Sequence, residues 1–168
     1  MSSRCPELVD PWRVSEQKQA FSGSVQLGDL PRLSPLLSRT EGIADYQFLF
    51  SRDQHRRPLI EGRVEATLWQ TCQRCLAEMS LRVDSGFRLA VVQGYDEAGQ
   101  LDEALEPLLA EEGNIRLLDL VEDELLLALP VVALHDQCEA PAFYDEEISV
   151  DEPRENPFAA LKRLKKTD

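Results

Sequence analysis

Leu59-Ile60-Glu61-Gly62-Arg63-Val64-Glu65-Ala66-Thr67-Leu68-Trp69-Gln70-Thr71, followed at once by Cys72-Gln73-Arg74-Cys75, is the stretch that decides the fold class. Gly62, Val64, Ala66 and Leu68 fall on one face and Arg63, Glu65, Thr67 and Trp69 on the other, the period-two pattern of a strand with one side on a core. Upstream, Tyr46, Phe48 and Phe50 alternate with Gln47, Leu49 and Ser51, and the polar run 52–58 reads as the turn joining two strands. Downstream the alternation resumes at Met79, Leu81 and Val83, then at Phe87, Leu89 and Val91 beyond an expected turn at Asp84-Ser85-Gly86. Together these runs predict an antiparallel, barrel-like meander with the cysteine pair at one hairpin tip.

Helices are expected around this sheet. Asp29 to Leu37 carries a capping residue and apolar residues at helical spacing, interrupted by Pro35. Residues 94–113, acidic and containing Pro107, are expected to form a long, partly ordered loop. Asp119-Leu120-Val121-Glu122 has capping-box spacing, and Leu117, Val121, Leu125, Ala128 and Leu129 line one side of a helix that Pro130 stops. Asn156-Pro157 opens a final short helix with Phe158, Leu161 and Leu164 set against Lys162, Arg163, Lys165 and Lys166. With 168 residues, the expectation is one α+β domain over 1–155 and a basic C-terminal helix or tail over 156–168.

Charge is distributed unevenly. Residues 1–95 hold 12 basic and 11 acidic side chains, whereas 96–134 hold 1 and 11, 135–155 hold 1 and 8, and 156–168 hold 4 and 1. An acidic surface of this extent repels phosphate backbone, because nucleic-acid affinity depends on Lys and Arg displacing counterions. It suits a basic partner, and it equally suits plain solubility. Met1 to Asp10 shows no apolar segment behind a basic one, and the longest apolar stretch, Leu125 to Leu134, is about half a membrane span. The chain is therefore expected to be cytoplasmic, without membrane contact.

In a reducing compartment cysteines serve as thiols or metal ligands before disulfides. Cys72-x-x-Cys75 and His135-x-x-Cys138 are two pairs of chelate spacing, and two such pairs can close a tetrahedral Cys3His zinc site that pins a hairpin to a distant loop. A free cysteine pair beside an unrelated histidine and cysteine fits the same residues, and so does a thiol-based redox or chaperone module working through Cys72 and Cys75. Cys5 supports no inference. No nucleophile elbow or phosphate-binding glycine loop is present, two histidines offer few acid/base pairs, and the carboxylates lie in solvated runs; no enzyme and no small-molecule substrate is expected.

Three passages carry a resemblance: Cys72-Gln73-Arg74-Cys75-Leu76 after a strand; Leu118-Asp119-Leu120-Val121-Glu122-Asp123-Glu124-Leu125 running through Leu127-Ala128-Leu129-Pro130-Val131-Val132 to His135; and Asn156-Pro157-Phe158-Ala159-Ala160-Leu161. With Asp10-Pro11 and a Phe21-x-Gly23 strand, their order and spacing make nearly the whole chain similar to the bacterial YceD family, the large ribosomal RNA subunit accumulation proteins. The resemblance implies a non-enzymatic role in synthesis, processing or stability of 23S rRNA, hence in large-subunit assembly, and carries over no catalytic residue. Some members carry additional cysteines around the positions of His135 and Cys138, in what resembles a zinc-binding loop.

Charge and resemblance together give an expectation of partners. The acidic region 96–124 with 136–155, including Glu122, Asp123 and Glu124, is expected to hold a basic ribosomal or assembly protein or a large-subunit precursor. Limited RNA contact is expected at Arg52, Arg56 and Arg57 on the hairpin turn and at Lys162, Arg163, Lys165 and Lys166, where ordinary solvated charge is the other reading. An acidic mimic of nucleic acid, blocking a basic groove, is a third possibility.

Overall fold

In a computed structural model the described residues are 6, 8–102, 104–110 and 113–141. Asp10 caps helix α1 (Pro11–Glu16), its carboxylate accepting from the N–H groups of Trp12 and Arg13, with Pro11 at the first turn where no N–H is needed. Strands β1 (Ala20–Gln26), β2 (Ile43–Arg52), β3 (Pro58–Thr71), β4 (Glu78–Val92) and β5 (Glu106–Leu109) form one sheet in sequence order. The first three pairings are antiparallel and β5 runs parallel to β4. Helices α2 (Tyr95–Ala98) and α3 (Leu117–Ala128) complete the framework.

Alternation places the core where the sequence puts it. Ala44, Tyr46, Phe48 and Phe50 of β2 and Ile60, Val64, Ala66 and Leu68 of β3 are buried, joined by Leu117, Val121 and Leu125 of α3. Phe48, Gly62 and Phe87 lie in one row across three strands. The Phe87 ring occupies the space above Gly62 so closely that a Cβ there would lie 2.1 Å from it. Phe87 in turn packs on Phe48 with ring centres 6.0 Å apart.

Five expectations are corrected. The sheet is open rather than barrel-like, since β1 and β5 are separate edges. Asp84-Ser85-Gly86 is no turn: β4 is continuous, and these residues pair with Glu65, Val64 and Arg63 of β3, so the ladder's hydrogen bonds override local turn chemistry. Asp29 to Leu37 holds two short 3-10 turns, Leu27–Asp29 and Ser34–Leu36, consistent with prolines that cannot donate to an α-helix. The acidic stretch expected as a loop contributes α2 and β5, whose Leu108 packs against the core beside Val91. Finally, α3 begins at Leu117, so Asp119 lies inside its first turn and does not cap it. The segment expected to form a basic C-terminal helix, 156–168, lies outside the described residues.

Candidate metal centre

Cys72 sits where β3 leaves the sheet. Its N–H donates to the Ala77 carbonyl at 2.9 Å and its carbonyl accepts from the Leu76 N–H at 2.9 Å, closing a tight knuckle at the β3–β4 tip. Leu76 closes it in the left-handed region, φ 60°, a conformation that ordinarily favours glycine. The second pair arrives from the other end of the core. Pro130 ends α3, the Gln73 N–H donates to the Ala133 carbonyl at 2.8 Å, and Arg74 Nη1 donates to the Cys138 carbonyl at 3.2 Å.

These bonds bring four donor atoms from sites about sixty residues apart within 4.8 Å of one another: one each from Cys72, Cys75, His135 and Cys138. Cys72 Sγ lies 3.7 Å from Cys138 Sγ, and Cys75 Sγ lies 3.3 Å from His135 Nδ1. Two zinc–sulfur bonds of about 2.3 Å at a tetrahedral angle separate their sulfurs by roughly 3.8 Å, so the sulfur pair already stands at a tetrahedral edge. The three cysteines are free thiols, and 3.7 Å is far beyond the roughly 2.05 Å of a disulfide. Three thiols and an imidazole are the donor chemistry of a closed structural zinc site, and the residues fit that group.

Electrostatics at the knuckle point the same way. Burial pushes the Cys72 thiol up, but N–H groups of Cys75, His135 and Arg74 aimed at its sulfur outweigh it and hold the thiol at about 5. The His135 N–H reaches that sulfur at 3.4 Å. Cys138 is raised, first by burial, then by its contacts with the Cys72 and Cys75 sulfurs and by repulsion from the Cys72 thiolate. The cluster thus accepts one thiolate readily and resists the next, a repulsion that a divalent cation removes.

The other expected site residues divide. Glu122 is no surface acid: it is 2% exposed, and its carboxylate accepts from the Arg32 and Leu33 N–H groups at 2.6 and 3.0 Å and from Arg32 Nε at 2.9 Å. Asp123 pairs with Arg32 Nη1 at 2.6 Å and remains half-exposed, while Glu124 accepts from Ser85 Oγ at 2.8 Å. Arg52 donates to the Trp12 carbonyl at 3.0 Å, and Arg57 pairs with Asp53 at 2.7 Å in a mostly buried bridge. Only Arg56 of that trio is exposed, at φ 65°. Lys162, Arg163, Lys165 and Lys166 lie outside the described residues, as do 142–155 of the acidic region. Sequence reasoning missed Arg32 and Arg74; nothing local marks them, since their partners lie 90 and 64 positions away.

The comparisons follow the same lines. The family model described as "Large ribosomal RNA subunit accumulation protein YceD" matches residues 60–165, a span that starts on β3 and includes all four clustered ligands. A curated relative from Haemophilus influenzae, named "Large ribosomal RNA subunit accumulation protein YceD", is 31% identical over 170 residues, covering 96% of this chain and 97% of the relative. No solved structure matches the chain. A nearly full-length relative at this identity and a family match that runs from β3 through α3 and both Cys/His pairs leave one conclusion: the chain belongs to the YceD family.

Proposed function

We propose that this protein is a non-enzymatic factor of ribosome biogenesis that supports synthesis, processing or stability of 23S rRNA and so assembly of the large subunit. The observation that carries this reading is the end-to-end similarity to a relative named a large ribosomal RNA subunit accumulation protein. The protein acts in the cytoplasm as an adaptor. Exposed acids of the second half, Asp123 among them, receive a basic ribosomal or assembly protein within a large-subunit precursor, and RNA contact is confined to the exposed Arg56 and the basic end. Zinc held by Cys72, Cys75, His135 and Cys138 is structural, stapling segment 131–138 to the β3–β4 tip. The alternative, a working thiol pair, is disfavoured by the full burial of Cys72, because thiol exchange requires access for the attacked partner.

The test is recovery of the tagged chain with its partners at low and at high salt. Large-subunit precursor or a basic ribosomal protein is expected at low salt, with less at high salt. Recovery of neither at either salt would overturn the adaptor reading.

A further inference from the structure

A groove of about 520 Å³ runs beside the metal centre, between the second 3-10 turn and the segment that follows α3. Leu36 and Leu37 form one wall, and Val131, Val132 and Ala133 the other. Leu36, Val131 and Val132 are all exposed there, an apolar concentration that a lone surface valine would not create. The wall is not loose, because the Gln73 N–H binds the Ala133 carbonyl at 2.8 Å. Lining the same groove, Gln70 carries a buried Oε1 that receives no hydrogen bond from any described residue.

We propose that the occupant is the chain's own C-terminal segment, residues 156–168, seated with Phe158, Leu161 and Leu164 in the groove. Position supports this first. The described chain ends at Pro141, three residues past Cys138, whose carbonyl is tied to Arg74 at the hairpin tip, so the tail departs from beside the groove. The link 142–155 spans roughly 20 Å as a coil and about 46–50 Å fully extended, which makes the encounter intramolecular at an effective millimolar concentration. Charge supports it next. Residues 96–141 hold thirteen acidic and one basic side chain, and 156–168 hold four basic and one acidic, so the tail is attracted to the body that carries the groove. The pattern completes the case: Phe158, Leu161 and Leu164 share one helical side, and a helix this short is marginal in water without a surface to bury that side. The family match also runs on to residue 165, so it covers Phe158, Leu161 and Leu164 as well as the knuckle.

Hydrogen exchange of the full chain at micromolar concentration tests the proposal, using the wild type, the groove variants Val132→Asp and Leu36→Asp, and the tail variant Leu161→Asp. In the wild type, amides 158–165 should exchange at least about tenfold more slowly than free chain. All three variants should return them to free-chain rates while β3 and β4 keep their protection, which shows that the fold is intact. Free-chain rates in the wild type overturn the proposal, as does protection that survives Val132→Asp. Protection that grows with protein concentration assigns the groove to a second copy, and protection that appears only on adding ribosomal particles assigns it to a partner; either result also overturns it.

Discussion

At the residue scale, the two groups that matter most are a thiol and a carboxylate, and each is defined by what approaches it. Cys72 is set by backbone N–H groups from both ends of the cluster, so zinc should be present at close to one per chain. Cys72→Ser should weaken zinc binding by more than the roughly 10–100-fold typical of a lost outer-shell partner, read by competition with a chromophoric chelator. Glu122 lies in the opposite situation to a surface acid. Burial raises its carboxyl, and the bonds from Arg32 and from the Leu33 and Arg32 N–H groups outweigh burial and hold it below the ordinary 4.5. Because Arg32 is half-exposed and can rehydrate, Glu122→Gln should cost about 2–3 kcal/mol in urea unfolding near neutral pH, less than breaking a wholly buried pair. A depressed folded-state value contributes stability above the unfolded value and loses it as pH falls through the folded one. The gap between wild type and Glu122→Gln should therefore be full above pH 4.5 and close below it.

At the element scale, the hairpin tip and the central strand row carry strain and fit that can be measured. Leu76 adopts φ 60° at the knuckle and is largely exposed, so little burial is lost on truncation. Relief of a left-handed penalty of roughly 1–2 kcal/mol, offset by the greater unfolded-state freedom of glycine, predicts that Leu76→Gly stabilises by about 0.5–1 kcal/mol. Thermal unfolding of the metal-loaded protein checks this, and a lower Tm would refute the account of the knuckle. Gly62→Ala tests the strand row. The added methyl meets the Phe87 ring, which cannot stay on Phe48 and above residue 62 at once, so a loss of about 1–3 kcal/mol is expected. Phe87→Leu in the same background should recover part of that loss if the clash is its cause.

At the scale of the whole molecule, the sheet, α3 and the knuckle are held together by long-range polar links of different kinds. Arg32 and Glu122 tie the 27–37 segment to α3, Ser85 and Glu124 tie β4 to α3, and the cysteine–histidine cluster ties the hairpin tip to the chain after α3. Chelation should accordingly loosen 131–138 while leaving the β2–β3 amides protected, since the core row of Phe48, Val64 and Leu68 does not pass through the cluster. Zinc removal that unfolded the entire sheet would contradict this division. The acidic balance of the second half belongs to this scale too: on the proposed adaptor reading it should speed encounter with a basic partner, and less so as salt rises.

Sequence alone was enough for whatever depends on local period. The alternation of Tyr46, Phe48 and Phe50 and of Val64, Ala66 and Leu68 placed the core face of the sheet, Pro130 ended α3, and chelate spacing marked both ligand pairs before any distance was known. The tertiary structure decided whatever depends on partners far along the chain. It ran β4 straight through a turn-like tripeptide because β3 offered a continuous ladder, and it added β5 in parallel from an acidic stretch with no strand pattern. It also withdrew Glu122 from the surface because Arg32 and two backbone N–H groups, some ninety residues away, converge on its carboxylate. Periodicity is a property of neighbours, whereas a carboxylate's or a thiol's role is set by the donors that folding brings to it.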